Sequence, residues 1–151
     1  STCAMKLRKE KSLTSSILVF VKTNPFKELN SQYSPYQKVI LDVPTNDSME
    51  ITSQALSVLK RIYKDGFNYK KAGVIVGDIV SEESRQLSLF TTQDIFKTKN
   101  IMNAMDDINR KMGRNKVRLA VQGFDRKWRL KQEKLSPCYT TRFEDVLEVK
   151  I

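Results

Sequence analysis

Carboxylates are the residues of this chain best suited to chemistry, because the sequence contains no histidine. Asp106 and Asp107 form an adjacent pair, and paired carboxylates can hold the metal ions of two-metal phosphoryl transfer. Both are predicted to lie in the middle of a helix, where i,i+3 and i,i+4 ion pairs with Arg110 and Lys111 account for them. Asp78, a single carboxylate at a predicted strand end, is interpreted as structural. The sequence therefore predicts no catalytic residue and no metal ligand.

A short apolar motif, Gln86-Leu87-Ser88-Leu89-Phe90, lies inside a polar stretch that runs from Ser81 to Gln93. The stretch has neither a helical nor a strand period, so Leu89 and Phe90 have no internal surface to cover. We expect these two side chains to anchor the segment in a groove on another protein, with Gln86 fixing the register through a hydrogen bond. The alternative is a loop whose leucine and phenylalanine fold back onto the core of the same chain.

The charge of the chain favours a polyanionic partner. Lysine and arginine number 27 against 17 aspartate and glutamate, which gives a formal net charge of +10.

Two cysteines, Cys3 and Cys138, have neither metal-site nor disulfide-framework spacing, as is typical of a reducing compartment. No apolar run approaches the ~20 residues needed to cross a bilayer. The sequence predicts a soluble cytoplasmic protein.

Apolar periodicity predicts the element order β-β-α-β-loop-α-β followed by a tail, after the last turns of an amphipathic helix at residues 4–11. Each strand is apolar on one side, so two helices must cover that side, which predicts an α+β fold of about four strands with both helices on one face. The predicted strands are 13–23, 38–43, 71–80 and 116–122. The predicted helices are 47–62, opened by an Asp47/Glu50 capping box, and 97–112, with apolar residues Ile101, Met105, Ile108 and Met112.

The uncovered face of this sheet is predicted to collect basic side chains and to bind nucleic acid. Gly73 and Gly77 would leave that face low, so that a phosphate backbone could approach closely. The alternative is an ordinary solvated face whose lysines protect the sheet edges. The net charge favours nucleic acid. The basic residues expected on this face are Lys22, Lys38, Lys71, Lys116 and Arg118.

The tail from Phe124 to Ile151 is aromatic and basic together, with Trp128 between Lys127 and Arg129. This pattern suits stacking on nucleic-acid bases. The alternative is a short helix at residues 125–134 that packs Trp128 against the domain and leaves its charges in water.

Several segments together resemble the C-terminal part of Y-family translesion DNA polymerases of the UmuC-like type, the catalytic subunits of bacterial DNA polymerase V. The resemblance spans almost the entire chain. The segments that carry it are Ser15–Phe26 (SSILVFVKTNPF), Pro44–Asp47 (PTND), Tyr69–Asp78 (YKKAGVIVGD), Gln86–Phe90 (QLSLF), Ile108–Arg114 (INRKMGR) and Leu135–Arg142 (LSPCYTTR).

The resemblance implies two regions. Residues 1–123 correspond to the little finger, a DNA-binding domain that lacks here its first strand and most of its first helix, and residues 124–151 correspond to a UmuC-type tail. The Lys70-Lys71 pair matches positions where little fingers place basic residues on the DNA backbone. The loop at 81–96 carries the clamp-binding motif of the family, formed by Gln86, Leu87, Ser88, Leu89 and Phe90.

The resemblance also implies that this fragment is not an enzyme and holds no cofactor, because the catalytic palm is absent. The parent would be a Mg²⁺-dependent DNA-directed DNA polymerase of the SOS response and DNA repair in the bacterial cytoplasm. The implied partners are primer-template DNA and the sliding clamp, with a UmuD-type subunit and RecA bound through the parent. The alternative is a free-standing RNA-binding α/β domain, for which Phe20 is the strand aromatic available for stacking on bases.

Overall fold

The computed structural model of the chain describes residues 1–27, 31–84, 95–113, 115–123, 136–142 and 144. The chain forms two compact units, residues 1–120 and residues 121–151. The α-helices are α1 (Thr2–Lys9), α2 (Ser48–Ile62) and α3 (Ile95–Met112), and the strands are β1 (Ser12–Thr23), β2 (Tyr36–Thr45) and β3 (Tyr69–Ser81). Single 3₁₀ turns lie at Glu82–Ser84 and Ala120–Gln122. The α+β class is confirmed.

The described strands form a three-stranded antiparallel sheet in the order β2-β1-β3. Alternation along β1 places Ile17, Val19 and Val21 on one face, where all three are buried. The helices α1 and α2 pack on that face with Ala4 and Leu7 of α1 and with Ile51, Val58 and Ile62 of α2. The core therefore lies between β1 at the centre of the sheet and these two helices.

The start of α2 agrees with the prediction in its N-cap but not in the capping box, because the N–H of Asp47, which Glu50 would accept in that motif, donates to Oγ1 of Thr45 at 3.1 Å. Asp47 is the N-cap, and its carboxylate accepts a hydrogen bond of 2.9 Å from the backbone N–H of Met49. After the helix, Gly66 adopts a left-handed conformation at φ +86°, which glycine enters without steric cost. The helix itself ends at Ile62, four residues before Gly66, with Tyr63 as its C-cap, and its apolar side faces the sheet.

The predicted fourth strand, Lys116–Gln122, is wrong: within residues 115–123 the structure has a bend followed by the 3₁₀ turn at Ala120–Gln122. The side chain of Asn109 accounts for the difference. Its amide donates to the carbonyl of Val117 at 2.8 Å, and its carbonyl accepts from the N–H of Val117 at 3.0 Å. Both backbone groups that a sheet ladder would use at this residue are thereby bound to α3.

Helix α3 begins at Ile95, close to the predicted start near residue 97, but buries a different set of residues. Met102 and Met105 are buried, whereas three members of the predicted apolar stripe are exposed: Ile101, Ile108 and Met112. The buried side of α3 therefore differs from the predicted one, and most of the apolar residues that were predicted to be buried remain on the surface.

The second unit contains a short turn in its described part. The backbone N–H groups of Thr141 and Arg142 both donate to the carbonyl of Cys138 at 3.0 Å. The predicted helix at 125–134, with Trp128, lies outside the described residues and stays a prediction.

Candidate nucleic-acid interface

The side of the sheet opposite α1 and α2 is here called the open face. It comprises alternate residues of β1 and the residues that pair with them on either side. The register orders them in four rows across the sheet: Lys22 beside Lys71; Phe20 between Tyr36 and Gly73; Leu18 between Lys38 and Ile75; Ser16 between Ile40 and Gly77.

Three of the predicted basic residues lie on the open face. Lys22 and Lys71 are opposite each other, both exposed, and Lys38 lies across Leu18 on the outer strand β2. Lys70 is exposed too, and it lies where the pairing of β1 with β3 shifts register between Lys71 and Tyr69, so strand alternation does not assign it to either face.

Two predicted basic residues do not lie on the sheet. Lys116 and Arg118 belong to the segment after α3, which Asn109 holds in a non-strand conformation. Their assignment to the open face depended on the fourth strand and is wrong for the same reason. The described sheet therefore carries fewer basic residues than the sequence predicted.

A carboxylate that strand alternation would direct towards the helices is found on the open face. Asp78 adopts the left-handed region at φ +49°, and its Oδ2 accepts a hydrogen bond of 2.9 Å from Nζ of Lys38. The hydrogen bond from Lys38, and then that from Ser16, holds the pKa of Asp78 below its usual value. No residue pattern predicts this pairing, because it depends on an unusual backbone conformation within a strand.

An aromatic ring covers part of the backbone that was expected to be open. A β-carbon at Gly73 would clash with Cζ of Phe20, so the ring lies directly over this glycine. The expectation that Gly73 leaves the face low for a phosphate is therefore corrected. The glycine instead makes room for the ring, and any larger residue would displace it.

Sequence reasoning missed Tyr36, the most exposed residue of the aromatic row, with 72% of its surface accessible. The predicted second strand began at Lys38, whereas β2 begins at Tyr36, immediately after Pro35. The proline was an available signal, because proline often precedes or opens a strand. With this residue the open face presents two aromatic side chains, Phe20 and Tyr36, in one row.

Asp106 and Asp107, the adjacent carboxylates considered first for chemistry, form two separate ion pairs. Asp107 binds Arg110 at 2.7 Å, as predicted for i,i+3 spacing. Asp106 binds Arg8 of α1 instead, with both carboxylate oxygens accepting from the guanidinium at 2.6 and 2.8 Å. The attribution of Asp106 to a pair within its own helix is therefore wrong, while the rejection of the pair as a metal site agrees with their divergent contacts.

Arg8 also binds the connection between β2 and α2. Its Nη1 donates to the carbonyl of Asn46 at 2.7 Å and to Oγ of Ser48 at 2.9 Å. Only 6% of its side-chain surface is accessible. A single buried guanidinium thus joins α1, α3 and the start of α2, and its charge is balanced by Asp106.

The predicted clamp motif, Gln86 to Phe90, lies outside the described residues and stays a prediction. Within the described parts of the chain, no group of three or more histidine, cysteine, aspartate or glutamate residues could hold a metal ion. Over the same residues, no helix is both long and apolar enough to span a membrane.

Two family profiles match different parts of the chain. The profile described as the impB/mucB/samB family C-terminal domain matches residues 1–89, and a domain of unknown function, DUF4113, matches residues 99–149. Most of α3 falls within the second match. The ion pair between Arg8 and Asp106 therefore joins a residue of the first matched region to a residue of the second.

Several curated proteins are similar along nearly the whole chain. Protein UmuC of Salmonella typhimurium is 40% identical over 148 residues, which are 97% of this chain and 35% of the relative. Protein SamB of Salmonella typhimurium is 37% identical over 98% of this chain and 35% of its own length. Protein MucB of Escherichia coli is 35% identical over 95% of this chain and 34% of its own length. The chain thus spans about a third of these relatives, and no solved structure matches it significantly.

Proposed function

Because this chain belongs to the impB/mucB/samB family, whose C-terminal domain it contains, we propose that it binds primer-template DNA and tethers a translesion DNA polymerase to the sliding clamp. Under this proposal the polymerase chemistry, with its Mg²⁺, resides in the part of the relatives' length that this chain does not span. The UmuD-type subunit and RecA are proposed as partners of the whole polymerase, acting in SOS mutagenesis.

The observation that carries the DNA-binding part is the position of exposed lysines on the open face, opposite α1 and α2. Lys22, Lys38 and Lys71 project from three neighbouring strands, on a chain whose net charge is +10. Flexible ammonium groups suit phosphates, and phosphate contacts fix the position of a protein on DNA without reading its sequence. We therefore expect weak binding with little sequence preference.

Replacing Lys70 or Lys71 by alanine should lower the slope of log affinity against log salt concentration by about one unit each, because each lysine that binds a phosphate releases about one counterion. The measurement is fluorescence anisotropy of labelled primer-template DNA over a series of salt concentrations. Lys64→Ala is the matched control: Lys64 lies 5.0 Å over the ring of Tyr33, away from the open face, and its loss should leave the slope unchanged. Wild-type affinity that is independent of salt would rule out the proposed mode of binding.

Replacing Asp78 by asparagine should strengthen DNA binding by severalfold and raise the salt slope by about one unit, because the substitution removes the carboxylate that occupies Lys38. Asparagine keeps the size of the side chain and tolerates the left-handed conformation at this position. Asp65→Asn removes one negative charge from a surface loop and is the matched control for net charge. Equal gains in the two variants would mean that overall charge, and not the release of Lys38, sets the affinity.

A further inference from the structure

We propose that the open face also binds single-stranded DNA, by stacking unpaired bases on Phe20 and Tyr36. This proposal rests on the DNA-binding part of the proposed function and is independent of the clamp tether. It adds a preference that lysines alone cannot provide, because phosphate contacts do not distinguish a stacked duplex base from an unpaired one.

The two aromatic residues are neighbours across the sheet. The N–H of Val21 donates to the carbonyl of Pro35 at 3.1 Å. The next pair along these two strands, Phe20 and Tyr36, is therefore a non-hydrogen-bonded pair. In an antiparallel sheet the side chains of such a pair lie closer together than those of a hydrogen-bonded pair. The ring of Phe20 leans over Gly73 on β3, whereas Tyr36 projects from β2. The flanking strands β2 and β3 are separated by two strand spacings, about 10 Å, which leaves room for two successive unpaired bases.

Lysines flank this aromatic row on both sides. Lys22 and Lys71 form the next row in one direction, and Lys38 belongs to the next row in the other. Nζ of Lys71 lies 6.0 Å from the centre of the Phe20 ring, within the range of a cation–π contact. The phosphates of a strand whose bases stack on the rings would therefore pass within reach of flexible ammonium groups on either side.

The chemistry of the face fits a nucleic-acid strand better than an apolar peptide. Ile75 lies in the row next to the aromatic residues and Ile40 in the row after it, and both are exposed, so they extend the apolar surface that bases can cover. The charges around that surface are the three lysines, the carboxylate of Asp78 and, two residues beyond Ile40 on β2, the exposed carboxylate of Asp42, which leaves a positive excess for a polyanion. Duplex bases keep their flat faces against their neighbours, so an unpaired strand is the form of DNA that can use the rings.

The test compares two single strands of equal length: a ten-nucleotide oligothymidylate and an abasic oligomer that has the same phosphates without bases. The full chain should bind the first at least about tenfold more tightly. Tyr36→Leu and Phe20→Leu should each weaken oligothymidylate binding by about fivefold or more and leave binding of the abasic oligomer unchanged. Lys71→Ala should weaken both. Phe26→Leu is the matched control, since Phe26 is 92% exposed and lies after the end of β1.

A second measurement keeps the test independent of folding defects. An oligonucleotide that contains 5-iododeoxyuridine, which crosslinks on irradiation to aromatic side chains stacked on it, should attach to Phe20 or Tyr36 of the wild-type protein, as mapped by mass spectrometry. Crosslinks confined to other residues would overturn the proposal. Equal affinity for the two oligomers would also overturn the proposal, although the protein would still bind the DNA backbone. Much tighter binding of oligouridylate than of oligothymidylate would overturn it too, because that result would assign the face to RNA. If neither oligomer binds, the DNA-binding function itself fails.

Discussion

Replacement of both Leu89 and Phe90 by alanine is expected to abolish measurable binding of the chain to the bacterial sliding clamp and to leave its melting temperature unchanged. Each of these side chains contributes ~1.5–3 kcal/mol when fully buried in a groove, so losing both removes most of the affinity that a five-residue motif can supply. The described residues on either side of the motif, Ser84 and Phe96, are both exposed.

Calorimetric titration of the clamp into the wild-type chain and the double variant measures this effect. Phe96→Ala provides the control, since Phe96 is 80% exposed and lies outside the motif. Undiminished clamp affinity in the double variant, or a melting temperature lowered by many degrees, would show that Leu89 and Phe90 pack within the domain. DNA should not alter the clamp affinity, because the motif is separate in sequence from the open face.

Replacement of Asp106 by alanine should lower the free energy of unfolding by about 2–3 kcal/mol. The substitution leaves the guanidinium of Arg8 buried without its counter-charge, and uncompensated buried charges are among the most destabilising changes in proteins. A quarter of the Asp106 side-chain surface is accessible, which places the expected loss below that of a fully buried pair. Urea denaturation followed by circular dichroism measures the change.

The neighbouring residue offers a closely matched control. Asp107→Ala removes the same group from the same turn of α3, but the ion pair of Asp107 with Arg110 is exposed, so the expected change is within about 0.5 kcal/mol. Similar losses in the two variants would show that helix propensity or helix charge, and not the Arg8 contact, determines the result.

The parts of the fold that local signals specify were predictable. The alternation of Ile17, Val19 and Val21 located β1 and its buried face, and Asp47 located the start of α2. The family resemblance, carried by the same strands, is confirmed by the family profile and by the similar relatives. In these segments the apolar positions in the sequence are the positions that are buried in the structure, because burial of one face requires apolar residues at regular spacing.

The parts that failed depend on contacts between residues distant in sequence. Residues 117, 119 and 121 have the alternation of a strand, but the side chain of Asn109 binds the backbone of Val117. Arg8 and Asp106 are 98 positions apart in the sequence. The side of α3 that is buried also differs from the side that apolar spacing predicted. No local pattern encodes such a pairing, since each partner is an ordinary charged residue in its own helix.

The candidate interface was predictable in part for similar reasons. Lys22, Lys38 and Lys71 were placed on one face because strand alternation fixes the side on which each lies. The ring of Phe20 over Gly73 and the turn of Asp78 towards Lys38 were not, because they depend on a rotamer and on a left-handed backbone conformation. The roles of these residues in DNA binding remain predictions.

The buried contact of Arg8 constrains how the family can recombine. The two profile matches meet between residues 89 and 99, a natural place to exchange one region for that of a relative. A chimera joined there combines an arginine from one parent with a helix from the other, and it retains the ion pair only if both parents carry complementary charges at these positions. In evolution, as in protein engineering, α3 should therefore be inherited together with the region that supplies Arg8, although the second profile match begins within this helix.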